Sequence, residues 1–471
     1  MKRKLTYGGE DQELSDSDSR TPAIHYGNKL FEPIHFLRCH SKKNDPADVQ
    51  TQVWQCAFEP DMNSPGHNTN LVATCGGNSV CLIDAVTGGV VKKFYSEQSS
   101  VLLFSLAWTT MHPGGGRRCN ILAVGGSKCY LQLILPSKSC SLLSSTTFLN
   151  SIGFNKMKDH ISCMGFHPSR RNVLFCGGSS GFIAALDIAQ CHPWSDSPEP
   201  KLPQLLLSVF THSEVFSLSF SKNANILLSG CNSGLFGWVM DEIKWEKNVQ
   251  PHQRRLSSIE FELPEMTDEK LAEMDSDDNN LVDSVVCIPE STLVATKCAL
   301  RGVIYIWDVK ATLENSAISY KKSDFKGARL KISPVKYLRW SDTDDYFMAM
   351  GCSPDGNLLG CGDDEGGVWL YNLCSNVAEH KAKRAKKNDD DLLLKEPYQR
   401  LLWPSSLEDP EVQNARKVKR LEGHGGVIDQ VSMCVTQSGS IHLAAVTSTN
   451  LVCIWRAFDD EGFQSRDESS D

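Results

Sequence analysis

The stretch LRWSDTDDYFMAMGCSPDGNLLGCGDDEGGVWLYNL, residues 338 to 373, carries the clearest indication of the fold. After the aromatic pair Tyr346-Phe347 it contains an apolar strand, a Ser-Pro-Asp-Gly turn, a second strand at 358–361, an acidic turn at 363–367 and a third strand at 368–373. Short strands separated by Gly, Asp, Asn and Pro turns indicate an all-β repeat rather than alternating strands and helices. The stretch is one β-meander, and a repeat protein would contain further copies of it.

Further copies of this meander are present on both sides of the stretch. They cover residues 54–85, 103–135, 160–188, 215–240, 281–309 and 427–457. Several copies end in the tryptophan signature of WD repeats, which is complete in Ile306-Trp307-Asp308. Seven copies, each with an outermost strand in the connection that follows, predict an all-β, seven-bladed WD40 β-propeller.

The propeller is expected to occupy residues 29–458, between a disordered acidic and serine-rich tail at 1–28 and an acidic C-terminal tail at 459–471. The segment Ile34–His40 is the candidate strand that closes the ring by completing the last blade. Two long insertions are predicted, at about 241–281 and about 375–420. The second contains the basic run Lys381–Lys387, which reads either as an import or nucleic-acid patch or as an exposed linker.

Composition narrows the class of protein. The hydrophobic fraction of 41% and the charged fraction of 22% are typical of a soluble globular protein. No apolar run approaches the roughly 20 residues of a membrane span, and the N-terminus lacks the apolar region of a signal peptide. The net charge of −9 disfavours direct DNA binding and suits a basic peptide partner.

The eighteen cysteines do not form a metal or disulfide pattern. No CxxC pair occurs, and cysteines such as Cys56, Cys176 and Cys361 lie within apolar strands. Scattered thiols of this kind fit a reducing compartment, where cysteine behaves as a small hydrophobe. We therefore expect no structural zinc, no other metal and no cofactor.

No catalytic constellation is present. The chain contains no GxSxG elbow, no HExxH helix and no Walker-type phosphate loop, so the sequence predicts a protein that is not an enzyme. His160, His212 and His424 lie near the starts of blades, where histidines of WD repeats usually join a structural hydrogen-bond network. We assign them no catalytic role.

One repeated position carries aromatic residues where polar ones would be expected. Counting four residues back from the anchors Phe58, Trp108, Phe166, Phe220 and Met350 gives Trp54, Phe104, Ser162, Phe216 and Tyr346, with Phe347 adjacent. This position should face the mouth of the central channel. Aromatic rings facing one another there could form a cage for a quaternary ammonium. The alternative is that the rings cap the hydrophobic cores of their blades.

Four segments carry a resemblance to a known family: residues 32–60 (EPIHFLRCHSKKNDPADVQTQVWQCAFEP), residues 71–88 (LVATCGGNSVCLIDAVTG), residues 104–109 (FSLAWT) and the stretch at 338–373. They resemble the WD-repeat half of the leucine-rich repeat and WD repeat-containing proteins associated with the origin recognition complex. More distantly, they are similar to the embryonic ectoderm development propeller of the Polycomb group, which binds trimethyl-lysine.

The resemblance implies a methyl-lysine site at Trp54, Phe104, Tyr346 and Phe347, and assigns no cage role to Phe216. It further implies a nuclear, chromatin-associated reader of repressive trimethyl-lysine marks on histone H3 and H4 tails. This reader recruits or stabilises the origin recognition complex at heterochromatin and binds other replication-initiation proteins. The alternative is a WD40 interaction scaffold without methyl-lysine recognition. The family carries leucine-rich repeats before its propeller and residues 1–30 contain none, so a shorter form or an incomplete gene model is expected.

Overall fold

The structure is a computed structural model of the 471-residue chain. It describes residues 29–459 apart from 43–44, 46, 113–116, 154–158, 192–201, 212, 241–257, 266–279, 316–327, 344, 375–393 and 403–425. The expected tails at 1–28 and 459–471, apart from Asp459, lie outside the described residues. The basic run Lys381–Lys387, His212 and His424 lie outside them as well. Among the described residues, no helix is long and apolar enough to cross a membrane.

Within the described part of the chain, thirty strands form seven separate sheets, which are the blades of the propeller. Blades one to three each contain four consecutive antiparallel strands. The strand β1 Lys29–Leu37 precedes them in the chain. Blade one contains β2 Val53–Pro60, β3 Asn68–Gly76, β4 Ser79–Asp84 and β5 Val90–Tyr95, and blade two contains β6 Leu103–Met111, β7 Cys119–Gly126, β8 Tyr130–Leu135 and β9 Cys140–Ser145. Blade three contains β10 Ile161–Phe166, β11 Val173–Gly178, β12 Phe182–Asp187 and β13 Gln204–Phe210.

Of the remaining blades, four to six draw strands from the long connections, and blade seven takes β1 as its fourth strand. Blade four contains β14 Val215–Ser221, β15 Ile226–Cys231, β16 Gly234–Val239, β17 Ile259–Glu262 and β21 Ala328–Lys331, and blade five contains β18 Val282–Cys287, β19 Leu293–Cys298, β20 Val303–Asp308, β22 Pro334–Arg339 and β26 Leu394–Lys395. Blade six contains β23 Gly351–Cys352, β24 Leu358–Gly362, β25 Val368–Asn372 and β27 Gln399–Leu401. Blade seven contains β28 Ile428–Val435, β29 Ile441–Thr447 and β30 Val452–Asp459. The described helices are short: α1 Phe148–Ser151, α2 Val309–Asn315 and a 3₁₀ turn at Pro136–Lys138. The expectation of a seven-bladed all-β propeller is confirmed.

The ring closes with the N-terminal strand. β1 pairs antiparallel with β30, from Lys29 opposite Asp459 to Leu37 opposite Val452, and becomes the outermost strand of blade seven. Phe31 is buried in the cluster that contains Trp455. The predicted closure at Ile34–His40 is therefore confirmed, although the strand begins five residues earlier and ends at Leu37.

The long connections contribute strands to the sheets of blades four to six, and in blades four and five they add one strand more than expected. β17 lies within the insertion predicted at 241–281, while β26 and β27 lie within the one predicted at 375–420. Blades four and five each gain a fifth strand, because β21 pairs parallel with β17 and β26 pairs parallel with β22. The start of the stretch at 338–373 is thus the end of blade five rather than the start of blade six.

The expectation of a full apolar strand after Phe347 was wrong. The first strand of blade six contains only Gly351 and Cys352. Phe347 has a φ of +71°, a left-handed conformation that an extended strand cannot contain. Ala349 instead makes a single bridge to Gln430 of blade seven.

Hydrogen bonds link every pair of neighbouring blades close to the channel. Ser and Gln side chains on the innermost strands form six of these links, and Ala349 N donates to Asp429 O over 2.8 Å in the seventh. The six side-chain links join Gln55 to Leu106 N, Ser105 to Ile161 O, Ser162 to Val215 O, Ser217 to Val285 N, Ser284 to Met350 N and Gln430 to Cys56 N. This belt holds the innermost strands at fixed positions around the channel.

The signature tryptophans are structural, as expected. Trp307 Nε1 donates to Thr296 Oγ1 over 2.9 Å, and Trp369 Nε1 donates to Asp363 Oδ2 over 2.8 Å. Trp238 and Trp455 are buried in the cores of their blades. These contacts fix the third strand of a blade against its second strand and leave no tryptophan of this group at the channel.

Candidate functional site

A β-bulge recurs at the second residue of the innermost strand in six blades. The register shift leaves one residue without a strand partner in each blade: Trp54, Phe104, Ser162, Phe216, Asp283 and Asp429. In blade six, the register continued back from the Gly351–Gly360 pair places Ala349 at the corresponding position. A bulge re-aims a side chain out of the pleat. All seven residues of this bulge ring line one cavity.

The cavity lies at the end of the channel where the innermost strands begin. Its volume is about 280 Å³, and it is partly open to solvent. The remaining lining residues are Gln55, His160, Glu214 and Phe347. This volume is at the lower end of the usual range for ligand sites, and the aromatic walls with a few polar groups match the usual lining.

The predicted aromatic residues are in mutual contact. The ring of Trp54 lies edge-on to Phe104 with centroids 5.4 Å apart, and edge-on to Phe347 at 6.3 Å. Edge-to-face pairs at these distances are favourable, and they leave ring faces free for a further partner. Trp54, Phe104 and Phe347 thus form a continuous aromatic wall contributed by blades one, two and six.

Tyr346 and Phe216 take positions that spacing alone did not distinguish. Tyr346 is 45% exposed and is not among the residues that line the cavity, but its ring packs on Phe347 at 4.7 Å and on Phe216 at 6.0 Å. Phe216, expected to be structural, is 8% exposed and packs with Leu281 and Ala299. It also lines the cavity, edge-on to Phe347 at 4.8 Å.

Phe347 reaches the cavity through an unusual backbone conformation. A φ of +71° is rarely adopted by a bulky residue and costs on the order of 1 kcal/mol or more. Phe347 is also out of step with the bulge ring, whose position in blade six is taken by the small side chain of Ala349. The left-handed residue therefore supplies an aromatic ring where the regular position of blade six has none.

Two aspartates of the bulge ring stand between the aromatic residues. Asp283, on blade five, ion-pairs through Oδ2 with Lys297 Nζ at 2.5 Å, and both side chains are fully buried. Burial nevertheless raises the pKa of Asp283 above its ordinary value, because desolvation outweighs the charge of Lys297. The other oxygen, Oδ1, is buried without a hydrogen-bond partner.

Asp429, on blade seven, is the second acidic group. Its Oδ1 accepts a hydrogen bond from Gln52 Nε2 over 2.7 Å, while Oδ2 is buried without a partner. Burial raises the pKa of Asp429 well above its usual range, and the nearby charge of Asp345 adds to the effect. The cavity therefore combines aromatic walls with buried acceptors, which is an environment suited to a cation.

His160 does not join the hydrogen-bond network within its blade that was expected. Its Nε2 lies 3.3 Å from Glu214 Oε1 at the entrance to blade four, and its ring packs on Phe104 at 5.2 Å. Both residues line the cavity. The buried network belongs to His40 instead, whose ring nitrogens lie 2.8 Å from Thr74 Oγ1 and 2.9 Å from Ser79 Oγ.

A second cavity lies at the opposite end of the innermost strands. It is lined by residues of blades one to three that include Arg118, Arg171, Trp108 and Phe166. Two of the anchors, Trp108 and Phe166, are thus half-buried beside this cavity rather than fully packed. Asp61 lines this second cavity as well, so it contains both basic and acidic side chains.

All eighteen cysteines are free. One group, however, has the residue types of a metal site: ligand atoms of Cys39, His40 and Cys81 lie within 4.8 Å of one another. Both nitrogens of His40 already have hydroxyl partners, so metal binding would require a hydrogen bond to be broken. The expectation that the chain binds no zinc stays a prediction.

Counting back from apolar anchors missed Asp283, Ala349 and Asp429. A signal for them was present, because an aliphatic residue precedes the bulged residue in every blade. The triplets are Val53-Trp-Gln, Leu103-Phe-Ser, Ile161-Ser-Cys, Val215-Phe-Ser, Val282-Asp-Ser, Met348-Ala-Met and Ile428-Asp-Gln. Aligning these triplets, rather than the anchors, identifies all seven positions.

The family model and the similar proteins that match the chain all have the same name. Residues 23–458 match the WD domain of leucine-rich repeat and WD repeat-containing protein 1. Proteins of that name are 30% identical to the chain over 442 residues in Xenopus laevis, covering 92% of the chain and 54% of the relative, and 28% identical over 455 residues in Homo sapiens, covering 95% and 60%. The Danio rerio protein is 28% identical over 435 residues, covering 90% and 50%. The chain spans about half the length of these curated relatives.

Proposed function

The chain belongs to the WD-domain family of leucine-rich repeat and WD repeat-containing protein 1, and from this premise we propose that it is a chromatin reader. WD propellers of this kind are generally non-catalytic interaction scaffolds, and the match indicates no enzymatic family. The specific ligand that we propose is trimethyl-lysine on histone H3 and H4 tails. Bound to it, the propeller would recruit or stabilise the origin recognition complex at heterochromatin in the nucleus.

The aromatic wall of Trp54, Phe104 and Phe347 is the observation that carries the proposal. A trimethylammonium group has a delocalised charge and cannot donate a hydrogen bond, so rings within about 6 Å are its natural partners. The three rings meet at centroid distances of 5.4 and 6.3 Å around a cavity open at the channel mouth. Tyr346, exposed at the rim beside Phe347, would contact the peptide around the modified lysine.

Calorimetric titration with histone tail peptides tests the proposal. The trimethylated peptide should bind and the unmodified peptide should bind at least about tenfold more weakly, since an unmethylated ammonium is more costly to desolvate. Trp54→Ala should abolish the difference. Tyr95→Ala is the matched control, because Tyr95 is a 54% exposed aromatic on the outer edge of the same blade, and this variant should bind like the wild type.

Equal binding of methylated and unmethylated peptides by the wild type would instead support a WD40 interaction scaffold without methyl-lysine recognition. The second part of the proposal needs its own measurement, which is binding of the purified origin recognition complex to the propeller with and without the methylated peptide. The chain spans about half the length of these relatives, so a binding surface outside the propeller would leave the purified propeller without affinity for the complex.

A further inference from the structure

One acidic group in the cavity is not explained by the aromatic cage or by the fold. Asp429 is 3% exposed and lies at the bulge of blade seven, between Phe347 of blade six and Trp54 of blade one. Its Oδ2 has no hydrogen-bond partner. A buried acceptor without a partner destabilises the folded protein, and such a group in a native structure requires an explanation.

The other acids of the cavity differ from Asp429 because each faces a basic group. Asp283 is paired with Lys297 at 2.5 Å, and Glu214 lies 3.3 Å from the imidazole of His160. Among the described residues, Asp429 has no ion-pair partner; its polar contact is the amide of Gln52. Asp429 is therefore the acidic group of the cavity whose charge is left for a ligand.

We propose, building on the methyl-lysine function, that Asp429 is the counter-charge that makes the cavity selective for cationic ligands. Aromatic rings attract a cation through their quadrupole but also accept a neutral group of the same shape. A cation bound beside Asp429 favours the ionised carboxylate against the effect of burial. The carboxylate then adds a full negative charge in a region of low dielectric, where its effect on the cation is large. The rings thus set the shape of the ligand, and Asp429 sets its charge.

A pair of peptides that differ only in charge tests this assignment. One carries trimethyl-lysine, and the other carries its uncharged isostere, in which carbon replaces the quaternary nitrogen. The wild type should prefer the charged peptide by about tenfold or more. Asp429→Asn should remove most of this preference by weakening binding of the charged peptide, while the isostere binds as before.

Asp345→Asn is the matched control. Asp345 is an exposed carboxylate whose charge acts on Asp429, so this variant loses the same charge from solvent rather than from the cavity. It should keep the preference within about twofold because exposed charges are screened. Asp429→Asn should fold, since the amide oxygen can still accept the hydrogen bond of Gln52; if circular dichroism shows otherwise, Asp429→Ser is compared in its place.

The outcomes separate the two proposals. Binding of both peptides by the wild type, with an unchanged preference in the Asp429 variant, would overturn the counter-charge while leaving the methyl-lysine function in place. Failure of the wild type to bind either peptide would refute the methyl-lysine function, and the counter-charge with it. Selective loss of the charged peptide in Asp429→Asn supports both.

Discussion

Lys297 Nζ lies 2.5 Å from Asp283 Oδ2 in an ion pair that is completely shielded from solvent. The same ammonium sits 4.2 Å from the ring centroid of Trp340, and Asp283 Oδ2 also accepts a hydrogen bond from Met348 N at 3.3 Å. The ion pair thereby ties blade five to the segment of blade six that carries Phe347. Its role is to hold the irregular start of blade six, which has few strand hydrogen bonds of its own.

Replacing Lys297 by Met should strongly destabilise the propeller. The change leaves Asp283 as an unpaired buried carboxylate, for which a loss of about 3 kcal/mol in the free energy of unfolding is expected. Urea unfolding measures it. Lys222→Met is the control, because Lys222 is exposed and lies 3.6 Å from exposed Glu290, so its loss should cost at most about 1 kcal/mol. Similar losses in both variants would show that the buried pair is unimportant.

Two substitutions at Phe347 separate backbone strain from ligand binding. Phe347→Gly removes the ring and relieves the left-handed conformation, whereas Phe347→Ala removes the ring alone. The Gly variant should be more stable than the Ala variant by about 1 kcal/mol in thermal or urea unfolding. Both should lose affinity for the trimethylated peptide. A Gly variant no more stable than the Ala variant would contradict the strain at this residue.

The stability of Asp429→Asn relative to the wild type should increase as the pH rises. Burial raises the pKa of Asp429 in the folded protein above the value near 3.9 of the unfolded chain, so the folded state binds this proton more tightly. The stability contributed by the group is present below that unfolded value and is lost as pH rises towards the folded pKa. The variant does not titrate here, so its stability relative to wild type should increase between about pH 4 and pH 7. A difference that is constant with pH would contradict the raised pKa.

The closure strand should be essential for stability. A chain that begins at Arg38 lacks β1, so the pairing edge of β30 and the cluster around Trp455 lose their cover, including the buried ring of Phe31. Burying such a side chain contributes about 2 kcal/mol, and the lost strand adds to this. A chain that begins at Lys29 keeps the strand and is the control. Differential scanning calorimetry should show a clearly lower melting temperature for the shorter chain, and equal melting temperatures would refute the closure.

Local signals in the sequence were enough to predict the seven-bladed propeller, because each blade repeats the same pattern of apolar runs and turns. They were not enough where a long-range contact decides the structure. The strands β17 and β27 lie in polar insertions, and their pairing with β16 and β25 is set by the sheet edge rather than by their own residues. The aromatic positions Trp54 and Phe104 were found because blades one and two have regular spacing.

Blade six departs from that spacing because the backbone of Phe347 is left-handed. Counting back from Met350 reached Tyr346, while the cavity is lined by Ala349 and by Phe347 in its left-handed conformation. Backbone conformation of this kind is not visible in residue type. Asp283 and Asp429 were missed because no anchor was counted in blades five and seven, although Val282 and Ile428 precede the bulged residues there.

The bulge recurs at one position of the innermost strands, so the side chains that line the cavity come from a single position of the repeat. Each bulged side chain leaves the pleat, while in blades one, two, four, five and seven the following Ser or Gln holds the next blade. From blade one to blade seven, the bulge ring contains Trp, Phe, Ser, Phe, Asp, Ala and Asp. Two of these residues also hold structure, because Ser162 links to Val215 O and Asp283 pairs with Lys297. Trp54 and Phe104 can be exchanged without removing a link between blades, so ligand preference at the channel mouth can be redesigned in blades one and two.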